Sequence, residues 1–105
     1  MKTNIYMVKC GNYVKIGKAK DVQKRLSQLQ IGSPQKLELI GSTFVDEAME
    51  FYLHNKLEKY RVRGEWFVDC KEVQNEFISL QLDSINKLID SCVIKLDKMT
   101  KRTAE

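Results

Sequence analysis

The side chains able to do chemistry in this chain are few, and the largest group of them is cationic. His54 is the single histidine, and Cys10, Cys70 and Cys92 have no C-x-x-C spacing, so neither a zinc site nor a disulfide framework is suggested. Residues 1–25 hold seven Lys and Arg against the lone acid Asp21. Residues 71–105 balance six of each sign, so the whole net charge of +4 lies before them. Positive charge gathered at one end fits a polyanion, because phosphate contacts release condensed counterions. A basic solubilising face is the other reading of the same charge. Lys18, Lys20 and Lys24 would extend a positive rim beside Arg25, and Arg61 and Arg63 are of the right type for phosphate contact. Glu50 and His54, four residues apart, share a helical face.

Short elements must position these groups. Asn4 to Lys9 and Tyr13 to Ile16 read as two strands joined at Gly11-Asn12, both of which tolerate positive φ. Gly17 ends the second. Asp21 is an N-cap for the helix VQKRLSQLQ, with Val22, Leu26 and Leu29 on one face and Gly32-Ser33-Pro34 as its stop. Leu37 to Ser42 is a third strand. Asp46 then caps a helix from about Glu47 to Tyr60, whose stripe is Met49, Leu53 and Leu57. RVRGEWFVD is a turn and a short extended piece. Trp66 and Phe67 serve there as core plugs.

From Lys71 the pattern is helical almost to the end. Ile78, Leu82, Ile85, Ile89, Cys92, Leu96 and Met99 form a heptad seam of three repeats, which Leu88 and Val93 widen. This predicts a homodimer through the C-terminal helix, parallel or antiparallel. The competing reading is one long helix with a face on its own domain. The fold class is therefore α+β, a small three-stranded antiparallel sheet flanked by helices, with a long C-terminal heptad-patterned helix. Residues 1–70 are the expected domain and 71–105 the expected dimerisation element.

The order of elements and motifs resembles the GIY-YIG nuclease superfamily, in its phage and mobile-element branch. Asn4-Ile5-Tyr6 stands at GIY, and Lys15-Ile16-Gly17 at YIG. Arg25 follows at the family's arginine position, then Glu50 to His54 at E-x-x-L-H and Gly64 to Phe67 at GEWF. Asn4 replaces the leading glycine, Lys15 replaces the second tyrosine, and Glu65 lies in the general region of the family's late asparagine. The resemblance implies phosphodiester hydrolysis, which needs an activated water and stabilisation of the charged transition state. Tyr6 would contact or deprotonate the water, helped by Lys15, since a neighbouring cation favours the phenolate. Arg25 would clamp a phosphate oxygen. Glu50 would be the carboxylate ligand of Mg²⁺ (or Mn²⁺), with His54 a supporting group beside it.

The functional expectation is a metal-dependent DNA endonuclease, with RNA left open as a substrate. The alternative is a dimeric DNA-binding regulator or targeting module that does not cut. Glu50 distinguishes them, because a pure binder gains nothing from an acid on a phosphate-facing surface. At 105 residues the chain has room for one core and not for separate cofactor and substrate domains. With no apolar run long enough for a span or a signal peptide, the expected location is cytoplasmic, without membrane contact.

Overall fold

The consecutive apolar run Ile5 to Val8 makes a strand buried on both faces, which pairs with the next strand as a hairpin, and the rest of the sheet grows on both its sides. The structure is a computed structural model that describes the backbone of residues 1–104 and the side chains of residues 1–96. Strands β1 (Lys2–Cys10) and β2 (Tyr13–Ala19) pair antiparallel, with Tyr6 opposite Gly17 and Val8 opposite Lys15. Gly11 alone supplies the left-handed residue of the turn, at φ +60°; Asn12 does not share it. Gly17 does not end β2, which runs on to Ala19.

Helix α1 (Val22–Ile31) starts as its sequence requires, with the Asp21 carboxylate accepting from the Lys24 N–H at 3.0 Å. Its Val22, Leu26 and Leu29 pack with Tyr6, Val8 and Leu37 on one face of the sheet. Strand β3 (Glu38–Asp46) pairs with β1, and Asp46 accepts from the Ala48 N–H at 2.9 Å as helix α2 (Ala48–Lys56) begins. A 3-10 turn over Glu58–Tyr60 then leads into a hairpin of β4 (Arg61–Arg63) and β5 (Trp66–Val68), followed by α3 (Lys71–Ala104). Leu53 of α2, Leu57 just after it, and Val73, Phe77 and Leu80 of α3 form the second core, against Ile5, Met7, Val14, Ile16 and Phe67 on the other face.

One expectation is corrected. The class is α+β, but the sheet has five strands in the order β3-β1-β2-β5-β4, not three. The extra pair is three residues per strand, too short for a period-2 pattern, and it forms because β5 finds β2 at Tyr13, Val14 and Lys15. In α3 the core residues Val73, Phe77 and Leu80 lie off the heptad seam, whose members Ile78, Leu82, Ile85 and Ile89 stay about half exposed. The side chain of Met99, the last seam residue, lies outside the described ones.

Phe77→Ala empties a position that is 1 % exposed, so it should lower the unfolding free energy by about 3–5 kcal/mol in urea titration. A loss below about 1 kcal/mol would mean that α3 does not dock on the sheet in solution.

Candidate functional site

The site gathers where β5 stops pairing with β2. Beyond Lys15 the edge of β2 is open, apart from the Ile16 N–H bonded to the Glu65 carbonyl at 3.1 Å. Groups from both faces of the sheet meet there. Tyr6, Lys15 and Gly17 point to the face that carries α1 and Arg25. Lys18 points to the other, where it meets Glu47 of the chain entering α2 at 3.9 Å.

Gly17 makes the close approach possible. A Cβ at Gly17 would stand 2.5 Å from the Tyr6 hydroxyl oxygen and 3.1 Å from Glu65 Oε2. No side chain fits in that space, so the phenol and the Glu65 carboxylate are held near each other across a bare backbone. Tyr6 itself is 1 % exposed. Its burial, the largest influence, raises the hydroxyl pKa above the ordinary value. A hydrogen bond from Arg25 and that residue's charge pull it back, while Glu65 and Glu50 push it further up. Tyr6 is therefore a phenol at neutral pH, a hydrogen-bond donor rather than a base.

Lys15 has a different partner from the one expected. Its ammonium lies 3.1 Å from Glu65 Oε2 and 5.6 Å from the centre of the Trp66 ring. It sits diagonally from Tyr6 on the same face, with its charge engaged by Glu65. Sequence reasoning gave Glu65 no role beyond its approximate place, because only the β2–β5 register brings it to Lys15. Asn4, in the position of the leading glycine, donates its side-chain amide to the Lys20 carbonyl at 3.0 Å and so fixes the corner between β2 and α1.

On the α2 side, His54 donates from Nε2 to the Ile16 carbonyl at 2.8 Å and meets the Phe67 ring edge-on at 5.2 Å. That carbonyl is available because β5 has already ended. His54 thus fastens α2 to β2 and sets the height of Glu50, one turn earlier. Glu50 Oε2 is shielded from solvent and has no hydrogen-bond partner among the described residues. Burial raises the Glu50 pKa above the usual carboxylate range, and Glu65 adds to this; His54, Lys18 and Lys15 act against it.

Of the expected phosphate contacts, Lys18, Lys20, Lys24, Arg25 and Arg63 are exposed. Arg61 is committed elsewhere. Its Nε bonds Glu58 at 2.7 Å, another guanidinium nitrogen bonds the Gly64 carbonyl, and the group lies over the Phe67 ring. It braces the β4–β5 hairpin. No group of three or more His, Cys, Asp or Glu is arranged to hold a metal among the described residues. A cleft of about 410 Å³ lined by Leu26, Ser27, Gln30, Ile31 and Leu37 includes none of the site residues.

Comparison with protein families decides the affiliation. The model of the T5orf172 domain matches residues 4–93. The chain belongs to the T5orf172 domain family. This corrects the assignment to the GIY-YIG superfamily, because the matching model is that of a different family. T5orf172 domains are associated with phages and mobile elements and are often linked to nuclease or DNA-binding activity. No curated protein and no solved structure matches the chain. The T5orf172 match continues along α3 past its docked turns, and no described helix is long and apolar enough to cross a membrane.

The strain at Glu50 has a measurable consequence. With its folded pKa raised, the folded state holds the proton more tightly, so stability falls as pH rises through that pKa. Glu50→Gln removes the buried charge and should raise the melting temperature at pH 7. The gain should disappear below the carboxylate's ordinary pKa of 4.5, where both forms are neutral. A variant less stable than wild type at pH 7 would contradict this account of Glu50.

Proposed function

We propose that this T5orf172 domain is a metal-dependent DNA endonuclease whose working groups are Arg25, Glu50 and Tyr6, supported by Lys15, Glu65 and His54. The observation that carries the reading is the buried oxygen of Glu50, unpartnered among the described residues, beside the exposed cations of β2 and α1. An anionic oxygen without a donor is costly unless something cationic comes to it. Mg²⁺ or Mn²⁺ fits that oxygen, since Mg²⁺ commonly takes one or two carboxylates and completes its shell with waters and substrate phosphate. When bound, such an ion supplies charge stabilisation to the phosphate under attack and to the leaving oxygen.

The chain's own residues supply the rest. Arg25 is exposed on α1 and beside the Tyr6 hydroxyl, so its planar fork can grip a non-bridging phosphate oxygen while the phenol orients it. Tyr6 holds its proton at the hydroxyl and acts by donating it in hydrogen bonds. Glu65 neutralises Lys15 and keeps a second carboxylate near Glu50, which favours cation binding over an empty site. Lys18, Lys20, Lys24 and Arg63 contribute sequence-independent attraction to the backbone.

A second reading, a DNA-binding module without cleavage, has one observation in its favour: Tyr6 is buried and its pKa is raised, so it keeps its proton. Plasmid cleavage at low salt with Mg²⁺ or Mn²⁺ separates the two. Glu50→Ala should abolish nicking while leaving DNA affinity equal or higher, because it removes a negative charge from the phosphate-facing surface. Retained activity in that variant would end the metal-ligand role. Arg25→Ala should slow cutting on the order of 100-fold, more than it weakens binding; a change in affinity alone would reduce Arg25 to a phosphate contact. A gel shift without cleavage in any metal would favour the second reading.

A further inference from the structure

The face of α3 that the domain leaves uncovered is a second functional surface, independent of the proposed site. Val73, Phe77 and Leu80 dock the helix on the sheet. At 100° per residue, the stripe of Ile78, Leu82, Ile85 and Ile89 lies roughly 130° around the helix from that docked face. The helix continues past Leu80 for roughly 36 Å to Ala104, in a molecule whose principal extents are 63 × 29 × 22 Å. The seam residues and the flanking Leu88 and Val93 are 45–67 % exposed.

We propose that α3 assembles copies of this chain into a parallel, in-register bundle of more than two helices. The heptad assignment argues for both the orientation and a number above two. The spacing puts Leu82, Ile89 and Leu96 at position a and Ile78, Ile85 and Cys92 at position d. Leu82 or Ile89 at a with Ile85 at d is a combination that packs best in bundles of more than two helices. Leu88 then falls at g and Val93 at e. In a parallel bundle, g of one helix meets the following e of its neighbour, so these two widening residues cover each other. An antiparallel pair matches e with e and g with g, so it does not bring Leu88 and Val93 together. The remaining flanking positions up to Leu96 are Ser79, Gln81, Asn86 and Lys95, of which only Lys95 is charged.

The area is sufficient for a second copy as occupant. Half-exposed Leu, Ile and Val side chains give up on the order of 100 Å² each, so two copies clear the roughly 1,000 Å² expected of a specific interface. Because the docked face and the seam diverge, the domains hang outside the bundle, leaving β2 and α1 open to ligand.

Sedimentation of the full chain at micromolar concentration tests this, with the double variant Ile85→Lys, Ile89→Lys as comparison. The expected wild-type mass is a whole multiple, greater than two, of 12.3 kDa, falling to 12.3 kDa in the variant with its far-ultraviolet circular dichroism retained. A wild-type monomer overturns the proposal and leaves the face to a partner of other chemistry. A dimer overturns the number, and an unchanged mass in the variant overturns the face. Oxidation with diamide tests the orientation. Cys92 pairs at position d lie within disulfide reach only in the parallel register, so a cross-link lost in Cys92→Ser is expected, and no cross-link overturns the parallel arrangement.

Discussion

The site depends on one close approach, the Tyr6 hydroxyl standing where a side chain on Gly17 would be. The β1–β2 register sets these two residues opposite each other, and the missing Cβ lets the phenol lie flat across the strand. Around that point the arrangement is tightly determined. Glu65 comes in from the end of β5 and meets Lys15, Arg25 reaches the phenol from α1, and His54 takes the carbonyl that β5 leaves unpaired. A larger residue at Gly17 would separate the phenol from the carboxylate and disturb groups drawn from four elements at once.

The electrostatics divide between surface and interior. Outside, the cations of β2 and α1 are exposed and suited to a phosphate chain. Nearer the sheet, burial and the neighbouring Glu65 raise the pKa of Glu50, and one Glu50 oxygen has no hydrogen-bond partner among the described residues. Such an arrangement costs stability in the isolated chain. It is the kind of local cost that functional sites carry and the surrounding packing offsets.

Much of this was legible in the sequence where local physics decides the outcome. The Asp21 cap, the α1 stripe, the Leu53–Leu57 face of α2 and the first hairpin all follow from spacing and turn chemistry. What spacing does not show depends on a distant partner. Strands β4 and β5 are too short to carry a pattern, and only β2 makes them strands. The docked face of α3 is hidden behind a longer, more regular heptad seam on the same helix. Lys15 and Tyr6 both lie on the first hairpin, whereas Glu65, which pairs with Lys15 at 3.1 Å, arrives from the turn before β5. Arg61 reads as a phosphate contact until Glu58, Gly64 and Phe67 are seen around it.

The tie between His54 and the Ile16 carbonyl spans 38 positions of chain. The first hairpin closes over a two-residue turn, at little entropic cost. The fastening of α2 and the arrival of β5 each require a long loop to close, and that loss of chain entropy precedes the contacts that reward it. Binding groups on the first hairpin and on α1 are thus local products of the first third of the chain. The carboxylates that face them belong to its most non-local contacts. In folding terms, a phosphate-attracting surface and the acidic centre beneath it are separable events, and the second exists only once the whole sheet is paired.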